Sequence, residues 1–266
     1  MARYRMIAVD LDGTLLNDEL DISPRTGQAL RRAADKGILI TIATGRMYCS
    51  TLPFARKLGI EAPIVTYQGA LVKNTCSGEV LVNLPLPSVL AQEVLKEGYT
   101  AGVHMNVYFN DLLYVDHITP VGREYAEMSR VDIFPAGDLV DFVKDDPTKI
   151  LFIADPDLLD SMKEDFDRKF AGRIYITKSK PYYLEIMHPD ATKGKALKTL
   201  AERFGIPAEE VMVFGDSYND LDMFRFAGIS IAMGNAPGKV KEKADIVTAT
   251  NNEDGIAEVI EKLVFQ

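Results

Sequence analysis

Met6-Ile7-Ala8-Val9-Asp10-Leu11-Asp12-Gly13-Thr14 is the stretch on which the fold turns. Met6 to Val9 is a short apolar run bounded by a turn signal, the pattern of a buried strand. It stops at two carboxylates, Asp10 and Asp12, followed by Gly13. Carboxylates at the end of a buried strand repel each other and resist desolvation, so a metal ion or a cationic substrate is needed to compensate them. In an open parallel α/β sheet, ligands bind just beyond the carboxyl ends of the strands, where this pair would stand. Taken alone, Asp-x-Asp-Gly also fits an ordinary turn, because Asp and Gly are common turn residues.

Working outward, Leu15 to Ile22 reads as a hairpin-like flap over the strand end. Ser23-Pro24 opens a helix that Gly37 stops. Ile38 to Ala43 is a second strand, ending in Thr44-Gly45-Arg46. A helical stretch follows to about Gly59, with Pro53 expected to kink or restart it. Pro63 to Thr66 is a third strand, and a hairpin turns at Ser77-Gly78. This is β-α-β-α-β, the pattern of a doubly wound, Rossmann-like parallel sheet in the α/β class.

At Leu84-Pro85-Leu86-Pro87 the character changes, and these residues read as a linker. Strands then come in runs between helices: Met105–Phe109, Leu112–Val115, Ile150–Ala154, Arg173–Thr177 and Tyr183–Met187. The expected organisation is a core from residues 1–83 and 189–266, with an inserted α+β domain at 84–188. After His188-Pro189-Asp190 the core pattern resumes with a helix from Thr192, a strand at Val211–Phe214 and a helix over Asn219–Ala227. A strand, a helix, a short strand and a last helix complete it.

The chain has 266 residues, 47% apolar and 26% charged, which is ordinary for a globular protein. No apolar run is long enough to span a bilayer, and no signal peptide is recognised. Cys49 and Cys76 are too few for a disulfide framework and are read as free thiols in a reducing cytoplasm. A net charge of −9 argues against a nucleic-acid binder, but not against a small anionic substrate held by a local cation.

Three strands of the core end in polar groups: Asp10, Thr44 and Asp216. Parallel strands bring their carboxyl ends to one edge, so these distant residues can meet. Thr44-Gly45 offers a hydroxyl and free N–H groups to an anion, or an ordinary helix cap. Lys193 lies in the first turn of its helix, where a cation opposes the helix dipole. Asp216, Asn219 and Asp220 crowd one strand-to-helix turn, where Asp220 also fits a helix-start acid. Arg46 reaches the substrate or the insert, or is a surface helix residue. His104, His117 and His188 are scattered without ligand spacing, and Tyr182 and Tyr183 read as packing residues, one of which can face the site.

Asp10-Leu11-Asp12-Gly13-Thr14, Ala43-Thr44-Gly45-Arg46, Thr192-Lys193-Gly194 and Gly215-Asp216-Ser217-Tyr218-Asn219-Asp220 are similar, in order, to the four motifs of the haloacid dehalogenase superfamily. The position of the insert resembles Cof-type hydrolases with a type IIB cap. Gln68 departs from the pattern, since relatives commonly have Asn before Gly-Ala. The resemblance implies a phosphatase of small phosphorylated metabolites in which Asp10 is the nucleophile and Asp12 the acid–base. It implies Mg2+ held by Asp10, Asp216 and the Asp12 carbonyl, with Asp220 supporting. Leu11 (through its backbone), Thr44, Gly45, Lys193 and Asn219 would hold the phosphate. A phosphotransferase or phosphomutase, and a non-catalytic phosphate-binding protein, are the alternatives.

Overall fold

The structure is a computed structural model and describes residues 3–265. Met1, Ala2 and Gln266, at the outer ends of the two expected core segments, lie outside the described residues. The first segment contains β1 (Met6–Val9), α1 (Pro24–Asp35), β2 (Leu39–Ile42), α2 (Tyr48–Leu58) and β3 (Pro63–Thr66), then the hairpin β4 (Leu71–Asn74) and β5 (Val80–Asn83). Residues 84–188, the segment expected as an insert, supply α3 (Ser88–Ala101), β6 (His104–Phe109), β7 (Leu112–Val115), α4 (Pro120–Ser129), β8 (Ile133–Pro135), α5 (Leu139–Phe142), β9 (Lys149–Ile153), α6 (Pro156–Phe170), β10 (Tyr175–Lys180) and β11 (Tyr183–Met187). The chain then forms α7 (Lys193–Arg203), β12 (Val211–Gly215), α8 (Leu221–Phe226), β13 (Ile229–Ala232), α9 (Gly238–Lys241), β14 (Ile246–Val247) and α10 (Gly255–Leu263). No helix among the described residues is long and apolar enough to cross a membrane.

The first sheet is parallel, in the order β14-β13-β12-β1-β2. All four residues of β1 are buried because both faces are covered. Ile7 and Val9 pack with α1, α2 and α10, whereas Met6 and Ala8 pack with α7 and α8. That alternation follows from the two-residue period of a strand. From β1 the chain moves outward to β2, and later returns to β12 on the other side. The reversal between β1 and β12 opens a crevice at their carboxyl ends, the usual ligand position in such sheets.

Several local expectations are corrected. The third strand joins the parallel sheet only through one bridge, Ala43 to Val65, and pairs mainly with β4, antiparallel. Pro53 lies inside one continuous α2, so the helix does not restart there. The helix begins at Tyr48 with Met47 at its cap, which removes Thr44 and Arg46 from it. The turn after Asp216 is a 3-10 turn over Tyr218–Asp220 before α8, closed by a reciprocal cap between Ser217 and Asp220. Leu84 to Pro87 forms no element, yet Leu86 is fully buried in the insert's core and its N–H donates to the Pro147 carbonyl at 2.7 Å. β8 and α5, of three and four residues, were too short to show any periodicity in the sequence.

The insert's own sheet has the order β10-β11-β9-β6-β7-β8. One face packs on α3 and α6 through Ile150, Phe152, Leu184 and Ile186. The opposite face carries Tyr108, Leu151, Tyr183 and Met187, which pack with Met47, Tyr67 and Ala70 of the first segment. The second sheet therefore lies across the carboxyl edge of the first.

Candidate active site

Asp10, immediately beyond β1, continues the parallel ladder, with its N–H donating to the Phe214 carbonyl at 2.9 Å. Its side chain is buried, and its Oδ1 lies 2.5 Å from Lys193 Nζ. Lys193 is the first residue of α7 and is itself buried; Nζ also donates to Asp220 Oδ1 at 2.6 Å. Asp216, immediately beyond β12, accepts from the Thr14 hydroxyl at 2.9 Å. Asp220 Oδ2 accepts from the Asp216 and Ser217 N–H groups, each at 2.9 Å. One oxygen from each of Asp10, Asp216 and Asp220 falls within 4.8 Å of the others. Gly13 makes this approach possible. It holds a φ of +75°, and a Cβ there would sit 2.7 Å from Asp216 Oδ2.

The electrostatics follow from burial. Desolvation pushes the Asp10 carboxyl well above the usual carboxylate range, Lys193 opposes the shift, and the charges of Asp220 and Asp216 add to it. Burial and then Asp220 push Asp216 up to about 7, with the Thr14 hydrogen bond opposing. For Lys193, burial favours the neutral amine, but Asp10 and Asp220 together outweigh it and raise its pKa. Ionised together, three acids around one lysine would leave negative charge uncompensated, which adds to burial in pushing Asp10 and Asp216 up. Asp220 is fully committed to Lys193 and two N–H groups, whereas Asp10 Oδ2 and Asp216 Oδ2 accept no hydrogen bond among the described residues. Two free hard oxygens in an acidic cluster fit a divalent cation.

The structure brings together most of the residues singled out from the sequence. Asp10, Asp12, Thr44, Gly45, Arg46, Asp216 and Asn219 all line one cavity of about 460 Å³ between the two sheets. Lys193 and Asp220 stand behind Asp10 rather than on the cavity wall. Leu11 buries its side chain completely, leaving only its backbone to serve a ligand. Arg46 belongs to no helix: its guanidinium grips Asp12 through Nε at 2.7 Å and Nη2 at 2.5 Å. Of the two tyrosines, Tyr183 lines the cavity edge-on to Tyr125, whereas Tyr182 is exposed. The histidines lie apart: His104 bonds Asn106 and Thr119, His117 meets Asp116, and His188 accepts from the Asp190 N–H.

A model of the haloacid dehalogenase-like hydrolase family matches residues 7–260. The chain belongs to this family. It is a haloacid dehalogenase-like hydrolase over nearly its whole length, and relatives carry the same extent. A 5-amino-6-(5-phospho-D-ribitylamino)uracil phosphatase of Bacillus subtilis is 32% identical over 267 residues, covering 97% of this chain and 96% of the relative. A crystal structure from Thermotoga maritima is 39% identical with a TM-score of 0.84, covering 97% of each chain. A sugar phosphatase of subclass IIB is 25% identical with a TM-score of 0.86, covering 97% of this chain and 98% of that one.

The buried charges of this hydrolase's cavity wall that the sequence motifs did not point to are Lys149 and Glu185, on β9 and β11. A signal was present. Each is a lone charge in an otherwise apolar strand, in Lys-Ile-Leu-Phe-Ile and Tyr-Leu-Glu-Ile-Met. When alternate residues of such a strand face a core, a charge on the other face is either solvated or paired beneath another layer.

Proposed function

We propose that this protein is a magnesium-dependent phosphatase of small phosphorylated metabolites, working through an aspartyl-phosphate on Asp10. The observation that carries this reading is the Asp10 carboxylate held by Lys193 on the floor of a cavity that Asp12 also lines. An ionised carboxylate attacks phosphorus without a general base. Lys193, behind Asp10, holds that carboxylate in place, and its remaining ammonium hydrogen is available to a phosphate oxygen once the phosphate seats against Asp10. Thr44, the Gly45 and Leu11 backbones and Asn219 supply further donors. A divalent cation held by Asp10, Asp216 and the Asp12 carbonyl would neutralise the acids against an incoming dianion. Each unit-charge pair at 4 Å is worth ~4 kcal/mol at an effective dielectric of about 20. Asp12 gives a proton to the leaving oxygen, then takes one from the water that cleaves the acyl phosphate.

We read residues 84–188 as a cap that closes the site and selects the substrate, with residues 1–83 and 189–266 as the catalytic core. Its contribution to the cavity combines Tyr125, Met128, Leu151 and Tyr183 with Lys180. That wall suits a leaving group with one apolar face and one polar or anionic edge. Free Cys49 and Cys76 support a reducing cytoplasmic setting, and the net charge of −9 supports a small-molecule partner over nucleic acid. The test is phosphate release from a panel of sugar, nucleotide and ribityl phosphates with magnesium, together with mass-spectrometric trapping of phosphorylated Asp10. Turnover without any label on Asp10 would refute the mechanism.

A further inference from the structure

One chain of hydrogen bonds crosses from the insert to the core, and every amide along it has its direction decided from one end. Glu185 and Lys149 stand diagonally on the paired strands β11 and β9, on the face turned toward the first sheet. Both side chains are only 3% exposed, and Lys149 Nζ lies 3.1 Å from Glu185 Oε2. Lys149 also donates to the Gly45 carbonyl at 2.8 Å, tying the pair to the loop after β2. The other carboxylate oxygen, Glu185 Oε1, accepts from Gln68 Nε2 at 3.2 Å. Gln68 Oε1 in turn accepts from Asn219 Nδ2 at 3.0 Å. Gln68 is buried and held at a φ of 58°, in the left-handed region. Gly45 lets it pass: a Cβ there would lie 2.3 Å from Gln68 Nε2.

A carboxylate paired with an ammonium only accepts hydrogen bonds. Gln68 must therefore present its NH2 to Glu185 and its oxygen to Asn219, and Asn219 must answer with its NH2. Flipping either amide sets oxygen against oxygen in a buried place. The result is that Asn219 has its NH2 group turned into the chain with one N–H to spare, while its Oδ1 has no partner among the described residues. Asn219 also lines the cavity beside Asp10 and Thr44.

We propose that Glu185, acting through Gln68, is a positioning residue that sets the amide direction of Asn219, so that this donor to the phosphate is completed only by the docked insert. The proposal rests on the phosphatase reading given above. It makes closure of the insert a condition for full phosphate binding rather than only a means of excluding water. It also gives the glutamine at position 68 a role: it has the length to span from Asn219 to Glu185.

The test is a double-mutant cycle read by calorimetric binding of inorganic phosphate in the presence of magnesium, and by kcat/KM for p-nitrophenyl phosphate. Glu185→Gln removes the acceptor-only end of the chain and should weaken phosphate binding about tenfold, the size of one lost hydrogen bond to a charged group. In an Asn219→Ala background the same change should move phosphate binding by less than about twofold, because the effect has lost its messenger. Gln68→Met leaves the Lys149–Glu185 pair intact and should behave the same way, so it decides the matter if Glu185→Gln folds poorly. Equal factors in both backgrounds, for a folded variant, overturn the relay while leaving the phosphatase reading intact. Failure of the unmodified protein to bind phosphate or turn over any ester overturns both.

Discussion

Arg46 grips Asp12 with two parallel hydrogen bonds, from Nε at 2.7 Å and Nη2 at 2.5 Å. The two residues are 34 apart in sequence, one just beyond β1 and the other just beyond β2, and the parallel pairing of those strands makes them neighbours. Arg46 is largely withdrawn from water, which disfavours its charge, but the bonds to Asp12 outweigh this and its pKa is raised. A planar fork holds a carboxylate in orientation as well as in place.

Replacing that fork by a point charge should therefore disturb chemistry more than binding. Arg46→Lys is expected to lower kcat for a sugar phosphate by about 10–100-fold, the scale on which a mispositioned group acts. KM should stay within about twofold. Steady-state kinetics check this, and a rise in KM at constant kcat would show that Arg46 serves substrate binding instead.

Asp12→Asn separates the two chemical steps. An alkoxide leaving group needs a proton and a nitrophenolate does not, so the variant should fail with sugar phosphates at the first step. With p-nitrophenyl phosphate it should release about one equivalent of nitrophenol and then stall, lacking the base for hydrolysis. Asp10→Asn should show no burst. Rapid-quench kinetics with both esters distinguish these outcomes. Equal loss on both esters without a burst would remove Asp12 from acid–base work.

The acid cluster should make the binding of a divalent cation depend on pH. Asp216 is raised from the ordinary carboxylate range to about 7, and Asp10 is raised in the same direction. A raised acid contributes stability below its unfolded pKa near 4 and loses it as pH climbs to the folded value, because the ionised form is the disfavoured one. Without metal, this cluster should therefore weaken the fold between about pH 4 and pH 7. A divalent cation competes with the same protons, so the rise in Tm on adding magnesium should be larger at pH 8 than at pH 5. Calorimetry at both values checks it, and a shift independent of pH would take these carboxylates out of the metal site.

Lys193→Met removes the charge between Asp10 and Asp220 but keeps most of the side chain's volume. Leaving buried acids without their cation costs roughly 3–5 kcal/mol. The loss should be greater at pH 8 than at pH 5, since protons can replace the missing ammonium at the lower pH. Denaturant unfolding at both values measures it. A pH-independent loss would make Lys193 a packing residue.

The layout of the strand-end edge was legible in the residues alone. Asp10, Thr44 and Asp216 each follow an apolar run, and parallel strands deliver such residues to one side whatever lies between them. The start of α1 was equally legible, because Ser23 and Pro24 act within one turn and the Ser23 hydroxyl does accept from the Thr26 N–H. The contacts that remained hidden join partners that no local period relates. The attachment of β3 by one bridge, the fork between Arg46 and Asp12, and the chain from Glu185 through Gln68 to Asn219 depend on how separate segments stack. Side chains from residues 68, 149, 185 and 219 meet because the second sheet lies across the strand ends of the first. A lone charge in an apolar strand says that something must cover it, and packing alone decides what does.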